Sequence, residues 1–136
     1  MVRPKILIAE AEPRSARFFE TSLASAGFQV FQAVDSASAW SIIQTQDLVI
    51  ALVDAKLPGL PKSNVLLRLR AEPALSDLPV LILGESAYAE EAVEWLNLGA
   101  DDYISRFISV ELFNAELHAK LRRAVHARKL TLKNQS

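Results

Sequence analysis

The residues of this chain that could do chemistry are carboxylates and one arginine, and each of them follows a short apolar run. Glu10 and Glu12 come after the first run, Asp54 after the third and Glu85 after the fourth, while Arg106 follows a weaker fifth run. Carboxylates supply anionic oxygens, and a guanidinium is a planar cation that pairs with carboxylates and phosphates. If the runs are neighbouring strands, the sequence predicts an acidic cluster that faces one arginine.

Short apolar runs alternate along the chain with stretches of helical periodicity. The four strongest runs are Ile6 to Ala9, Phe28 to Val34, Val49 to Val53 and Val80 to Leu83. Such runs are typical of strands that are buried on both faces. Apolar spacing and the placement of Pro and Gly predict helices from Pro13 to Ala26, from Ser36 onward, from about Ser63 to Arg70, from Ala87 to Leu98 and from about Val110 to Arg128. A weaker fifth strand, Tyr103 to Ser105, precedes the last helix.

This alternation predicts the fold class. Right-handed crossovers return the chain in one direction, so we expect an α/β fold, a doubly wound five-stranded parallel sheet with helices on both faces. Ligands of such sheets bind beyond the carboxyl ends of the strands, where the strand order reverses. We expect one domain over residues 1–129 and a polar tail, or the start of a linker, over residues 130–136.

Composition narrows the function classes. The chain has 136 residues, with 15 Lys plus Arg against 16 Asp plus Glu. It contains no cysteine, which excludes a disulfide framework and thiolate chemistry. The lack of cysteine also suits a cytoplasmic location. The first apolar run is too short for a signal peptide, and no run has membrane-spanning length. Six basic residues between His118 and Lys133 lack interleaved aromatic side chains, so we expect helix-dipole complementation there and no nucleic-acid partner.

Four segments resemble the receiver domain of bacterial two-component response regulators. These segments are Ile6 to Pro13, Asp54 to Gly59, Pro79 to Gly84 and Gly99 to Arg106. Their spacing also fits, since 30 positions separate Asp54 from Gly84 and 22 separate Gly84 from Arg106. Four motifs in register are far more specific than one. The resemblance implies the flavodoxin-like strand order 2-1-3-4-5 and covers nearly the whole chain.

The resemblance also implies a phosphorylation switch, in which a histidine kinase supplies a phosphoryl group and Mg²⁺ assists its transfer. Carried over residue by residue, Asp54 is the phosphoryl acceptor and Glu10 the first acid of the metal site. The backbone carbonyl of Lys56 is a further metal ligand, Arg106 replaces the lysine of the family, and Tyr103 is the switch aromatic. A metal and a cation are needed because an incoming phosphoryl group repels a carboxylate nucleophile.

Several residues depart from the family pattern in this one pocket. Ala11 replaces the second acidic residue, so Mg²⁺ should bind weakly and the site can rest without an ion. Gly84 replaces the Ser or Thr that binds the phosphoryl group, and Glu85 brings a negative charge to the rim. Arg106 exchanges a point charge for a planar fork, which could clamp Asp54 and Glu85 without a phosphate. Together these changes predict an impaired acceptor site.

Two further departures lie on loops. Phe107 replaces the proline that follows the lysine, and because a non-proline cis bond costs about 2.5–4 kcal/mol, we expect a trans bond and a shifted loop there. Lys62 replaces a glycine after the acceptor loop.

Each assignment has a simpler structural alternative. Glu10 and Asp54 could be solvated carboxylates at strand ends, and Arg106 a structural ion-pair partner. Glu12, placed on the pocket rim, precedes a helix-opening proline, where its charge favours the helix terminus without any metal. Trp95 lies off the predicted apolar stripe of the fourth helix, so we expect it on the partner-binding face, with ordinary partial burial as the alternative.

The leading hypothesis is an atypical receiver domain that acts by protein recognition and is not an enzyme beyond self-phosphorylation and dephosphorylation at Asp54. Its expected partners are a histidine kinase or another signalling protein, and a second copy of the chain through the fourth helix, fifth strand and fifth helix. One alternative is a fully functional Mg²⁺-dependent switch on Asp54. The other is a flavodoxin-like small-molecule binder, against which the absence of a glycine-rich phosphate loop counts.

Overall fold

A computed structural model describes residues 3–59, 62–86, 89–106 and 108–135. Strands and helices alternate along the chain. The strands are β1 (Lys5–Ala9), β2 (Gln29–Ala33), β3 (Ile50–Asp54), β4 (Val80–Gly84) and β5 (Asp102–Ser105). The helices are α1 (Pro13–Ser25), α2 (Ser36–Thr45), α3 (Lys62–Ala71), α4 (Ala89–Asn97) and α5 (Val110–Gln135).

All strand pairs are parallel, in the order β2-β1-β3-β4-β5. This arrangement confirms the predicted fold class and the strand order that the resemblance implied. The order reverses between β1 and β3, which are hydrogen-bonded neighbours with Ala9 opposite Val53. The next residues along the two strands, Glu10 and Asp54, therefore lie side by side at the carboxyl edge of the sheet.

Helices cover both faces of the sheet. The side chains of β3 and β4 are all buried, as expected for strands with two covered faces. One core cluster joins α1 and α5 to the sheet, and its largest members include Phe19, Leu23 and Leu117. The other joins α2, α3 and α4, with Ile43 and Leu66 among its members. This packing fixes the strand ends that carry the acidic residues.

Helix termini follow local capping chemistry. The side chain of Glu12 caps α1, and Gly27, just after the helix, has a φ of 99° that glycine tolerates best. Asp35 rather than Ser36 is the N-cap of α2, and its carboxylate accepts from the backbone N–H of Ser38 at 2.8 Å in a capping box.

The last helix is longer than predicted. We expected α5 to end near Arg128 and a polar tail to follow, but the helix continues to Gln135. The segment after Arg128 contains two Lys and two Leu, which favour helix, and no Gly or Pro that would stop one. The helix thus ends later than predicted, while the domain boundary at residue 129 and the polar tail after it stay predictions.

The orientation of α4 also differs from the prediction. Trp95 was expected on the exposed face, yet only 3% of its surface is accessible. The sequence predicts an inner stripe of Ala89, Ala92, Val93 and Leu96. In the structure Val93 and Leu96 are 53% and 45% exposed. The predicted stripe relied on alanines, which contribute little apolar area, whereas burying one tryptophan removes far more apolar surface from water. The helix is therefore rotated so that Trp95 faces the core.

Two predictions concern residues beyond the described part. The trans bond and shifted loop at Phe107, and the start of the fourth helix at Ala87, lie outside the described residues. Lys62 begins α3. Within the part of the chain that the structure describes, no helix has the length and apolar character needed to cross a bilayer.

Candidate functional site

Two carboxylates form the centre of the site because their strands are adjacent. Glu10 is 1% exposed and Asp54 is 8% exposed, so both lie well below the surface. The backbone N–H of Glu10 donates to Ala33 at 2.8 Å, which continues the pairing of β1 with β2. The backbone N–H of Lys56 donates to Asp54 Oδ1 at 3.0 Å. Backbone bonds thus fix the two acids at the end of the sheet.

Arg106 lies across these acids. Its backbone N–H donates to the Gly84 carbonyl at 3.0 Å, and its Nη2 donates to Glu10 Oε1 at 2.8 Å. The same Nη2 lies 3.8 Å from Asp54 Oδ2, and Nε lies 3.7 Å from Glu85 Oε1. One guanidinium therefore faces three carboxylates. We predicted that it would clamp Asp54 and Glu85, but its shortest contact is with Glu10.

The rim residues are bound less tightly. Lys56 Nζ lies 3.8 Å from Glu85 Oε2, an ion pair between an exposed lysine and a half-buried glutamate that contributes little to stability at this distance. Glu12 Oε1 accepts from the Arg14 N–H at 3.0 Å and Oε2 accepts from the Ser15 N–H at 2.8 Å. These backbone bonds lower the pKa of Glu12. The helix-terminus interpretation of Glu12 is confirmed, and both its oxygens are engaged away from the acidic pair.

One buried oxygen of the acidic pair has no hydrogen-bond donor. Glu10 Oε2 accepts no bond from any group in the described part of the chain. Burial raises the pKa of Glu10 to about 7, and hydrogen bonding to Asp54 adds to this increase while the charge of Arg106 opposes it. With a proton on this oxygen, Glu10 can donate a hydrogen bond to the Asp54 carboxylate, so the buried oxygen gains a partner. Near neutral pH the pocket therefore holds a proton between its two acids.

This pKa predicts a pH dependence of stability. The folded state keeps a proton on Glu10 up to about pH 7, whereas the unfolded chain releases it near the ordinary value of 4.5. The free energy of unfolding should therefore fall as pH rises from 4.5 to 7, by about 3 kcal/mol, and level off above that range. Glu10→Gln keeps an acceptor for Arg106 and should remove this decline. Urea denaturation at pH 5, 6, 7 and 8 measures it.

The matched control is Glu12→Gln, the same substitution at an exposed carboxylate. The pKa of Glu12 is lowered, so that variant loses stability above pH 4.5 and should keep the decline that Glu10 causes. An unchanged decline in Glu10→Gln would show that another group is responsible.

Tyr103 and Gly84 lie on the far side of the pocket. A Cβ atom added to Gly84 would overlap the hydroxyl oxygen and two ring carbons of Tyr103. The hydroxyl lies 2.9 Å from the Ser86 carbonyl and 2.9 Å from Glu91 Oε2. Burial raises the pKa of Tyr103 to about 12. The ring thus occupies the space that a serine or threonine at position 84 would need.

The oxygen atoms of the site could bind a hard cation such as Mg²⁺ weakly. Glu10 and Asp54 supply carboxylate oxygens, and Glu10 Oε2 is without a donor, so Mg²⁺ chemistry fits these oxygens. Among the described residues, however, no three metal-binding side chains of His, Cys, Asp or Glu come together. The Arg106 guanidinium already bonds the other oxygen of Glu10. A metal ion would have to compete with that cation.

Sequence reasoning missed two site residues. Glu91, on α4, bonds the Tyr103 hydroxyl, and no spacing signal links positions 91 and 103. Trp95 lines a small cavity together with Asp54 and Leu57, directly behind the acidic pair. The size of Trp95 was the signal that could have placed it in the core.

Comparison with known proteins gives a consistent result. The family described as "Response regulator receiver domain" matches residues 6–118. The transcriptional regulatory protein TctD of Salmonella typhimurium is 32% identical over 120 residues, which cover 88% of this chain and 53% of that protein. The transcriptional regulator RpaA of Synechocystis is 31% identical, over 88% of this chain and 50% of its own length. The chain spans about half the length of these curated relatives.

Solved structures agree on the fold. The receiver domain of a histidine kinase from Syntrophus aciditrophicus superposes with a TM-score of 0.79 at 22% identity and covers 91% of both chains. The receiver domain of a sensor histidine kinase from Pseudomonas aeruginosa, solved with magnesium coordinated in its active-site cleft, gives a TM-score of 0.77 at 25% identity. That alignment covers 92% of this chain and 99% of the other. The small-molecule alternative is not favoured by these matches.

Proposed function

The chain belongs to the response regulator receiver domain family, and from that premise we propose that it is a signalling module with an impaired phosphoryl acceptor. It acts by recognising other proteins, and Asp54 contributes little or no phosphate-dependent switching. Receiver domains are signalling modules rather than enzymes that turn over a substrate, which fits this proposal.

One observation carries the proposal: Arg106 Nη2 lies 2.8 Å from Glu10 and 3.8 Å from Asp54. The guanidinium neutralises the acids that a metal ion would otherwise neutralise. Ala11 removes a further carboxylate, so the pocket has less negative charge with which to attract a cation. Two carboxylates about 4 Å apart repel by about 4 kcal/mol at an effective dielectric constant of 20, and here Arg106 and a shared proton relieve that repulsion.

Phosphoryl transfer to this site would follow simple chemistry. An Asp54 carboxylate oxygen would form a bond to phosphorus while the bond between phosphorus and the donor atom breaks, which is a nitrogen in a phosphohistidine and an oxygen in acetyl phosphate. The donor would leave with the electron pair of the broken bond. Glu10, Asp54 and the backbone carbonyl of Lys56 would hold Mg²⁺, which neutralises the developing charge. Arg106 would face the transferred oxygens. No hydroxyl side chain at position 84 is present to bind them, and Glu85 repels them.

The proposed partners bind outside the pocket. We assign recognition to the face of α4, β5 and α5, where Val93 and Leu96 are exposed. A histidine kinase, another signalling protein or a second copy of the chain would contact this face, and a cytoplasmic location follows from such partners. Among the basic residues of α5, Lys120 pairs with Asp102 and Arg128 with Asp47, so part of that charge is already neutralised. This supports protein rather than nucleic-acid partners for the domain.

The test is incubation with acetyl phosphate and Mg²⁺ followed by intact-mass measurement. We expect a phosphate adduct on only a minor fraction of the molecules, close to the background of Asp54→Ala. Asp47→Ala, at an exposed aspartate, controls for nonspecific modification. A stoichiometric adduct that disappears only in Asp54→Ala would overturn the impaired-site proposal and establish the full switch.

A further inference from the structure

We propose that Tyr103 is a fixed link between β5 and α4, and that Gly84 is the residue that makes room for it. In this chain the aromatic ring does not change position in response to events at Asp54. The inference refines the proposed function, because it explains how a recognition face can be preset. It can be tested whether or not Asp54 accepts phosphate.

The first support is the space around Gly84. Gly84 ends β4 and is buried, and its φ does not lie in the left-handed region, so the backbone there does not itself require glycine. The requirement is spatial, since an added Cβ would overlap Oη, Cζ and Cε2 of Tyr103. The Tyr103 ring can therefore occupy its present position only when residue 84 is glycine.

The second support is the set of hydrogen bonds at the hydroxyl. Tyr103 Oη lies 2.9 Å from both the Ser86 carbonyl and Glu91 Oε2, so its single proton donates to one of these acceptors at a time. The Ser86 N–H in turn donates to Oη at 3.3 Å. The hydroxyl therefore connects β5 to the loop after β4 and to the first turns of α4.

The consequence concerns the recognition face. If the ring left its position, the Gly84 site would open as a cavity, and the contacts to Ser86 and Glu91 would be lost. Each of these changes is unfavourable, and nothing at Asp54 is required to prevent them. The helix that presents Val93 and Leu96 is thereby held in one arrangement relative to β5.

Nuclear magnetic resonance tests the position of the ring directly. The chain has two tyrosines, so Tyr88→Phe with ¹³C-labelled tyrosine leaves the ring of Tyr103 as the single reporter. We expect one set of ring signals with nuclear Overhauser contacts to the α protons of Gly84. In Glu91→Ala these contacts should weaken, and in Gly84→Ala the ring should move. Absent contacts to Gly84 in the Tyr88→Phe protein, or a second set of ring signals that lacks them, would overturn the proposal.

A double-mutant comparison tests the spatial argument by stability alone. Gly84→Ala should lower the melting temperature in the native background and in Tyr103→Phe, which keeps the ring. It should have little effect in Tyr103→Val, which lacks the atoms that the new Cβ would meet. An equal loss in all three backgrounds would overturn the proposal. These results do not depend on the phosphate adduct, so failure here and failure of the impaired-site proposal are distinguishable.

Discussion

Replacing Arg106 by methionine is expected to lower the free energy of unfolding more at pH 8 than at pH 5, by about 1.4 kcal/mol. Methionine keeps most of the apolar stem but removes the cation that faces Glu10 at 2.8 Å. Without that cation the pKa of Glu10 in the folded state rises further above 7. The loss relative to the native chain therefore grows as pH rises above 7, where the folded native chain releases the Glu10 proton that the folded variant still retains. Urea denaturation at the two pH values measures the difference.

Two variants separate the charge effect from lost packing. Arg106→Lys keeps a cation near the acids and should lose less than half as much stability at pH 8. In Glu10→Gln the carboxylate closest to Arg106 is gone and only Asp54, 3.8 Å from Nη2, remains, so adding Arg106→Met should cost less than it does in the native chain. A loss from Arg106→Met that is equal at pH 5 and pH 8 would mean that packing, rather than the buried charge, accounts for it.

Much of the fold could be predicted from local pattern. The strands β1, β3 and β4 are short and apolar throughout, and this pattern is decisive because both faces of the sheet are covered. Where the pattern was weak the prediction failed, as in α4, whose small alanines did not define its inner face. The end of α5 was missed for a different reason: a polar segment can remain helical when propensity favours it and no stop signal intervenes.

The site could be predicted at the level of strand ends but not of individual contacts. Because parallel strands bring their carboxyl ends to one edge, Glu10, Asp54 and Arg106 were expected together, and they are. Arg106 makes its shortest bond to Glu10 because its long side chain extends from the end of β5 past the ends of β4 and β3 to the end of β1. The spacing of residues in the sequence does not indicate how far a side chain extends across the sheet. The contact between Glu91 and Tyr103 joins two elements in the same way and left no signal in the sequence.

These contacts suggest how the pocket differs physically from a metal-dependent one. A site with three carboxylates has excess negative charge that only a bound cation relieves. Here one carboxylate is replaced by Ala11, a second carries a proton near neutral pH, and Arg106 supplies a fixed cation. The pocket therefore has little net charge without a metal ion. A carboxylate restored at position 11 should make a bound metal ion necessary again to neutralise the pocket.

Ala11→Asp is therefore expected to increase the affinity for Mg²⁺ at least ~10-fold, about 1.4 kcal/mol, because it adds a hard anionic ligand and removes the charge balance. Without Mg²⁺ the same variant should be less stable than the native chain, since the new carboxylate repels Glu10 and Asp54. Trp95 lines a cavity with Asp54, so its fluorescence in a Trp40→Phe background reports binding at the pair. Titration of that signal with MgCl₂ gives the affinity.

Ala11→Asn is the matched control, because asparagine has nearly the size of aspartate and carries no charge. Its Mg²⁺ affinity should stay within about twofold of the native chain, since a neutral amide adds little attraction for a divalent ion. Melting temperature provides a second measure: Mg²⁺ should stabilise Ala11→Asp far more than Ala11→Asn, because stabilisation by a ligand grows with its concentration relative to the dissociation constant. Equal affinities in the two variants would show that size or backbone geometry, and not the missing charge, limits metal binding in this pocket.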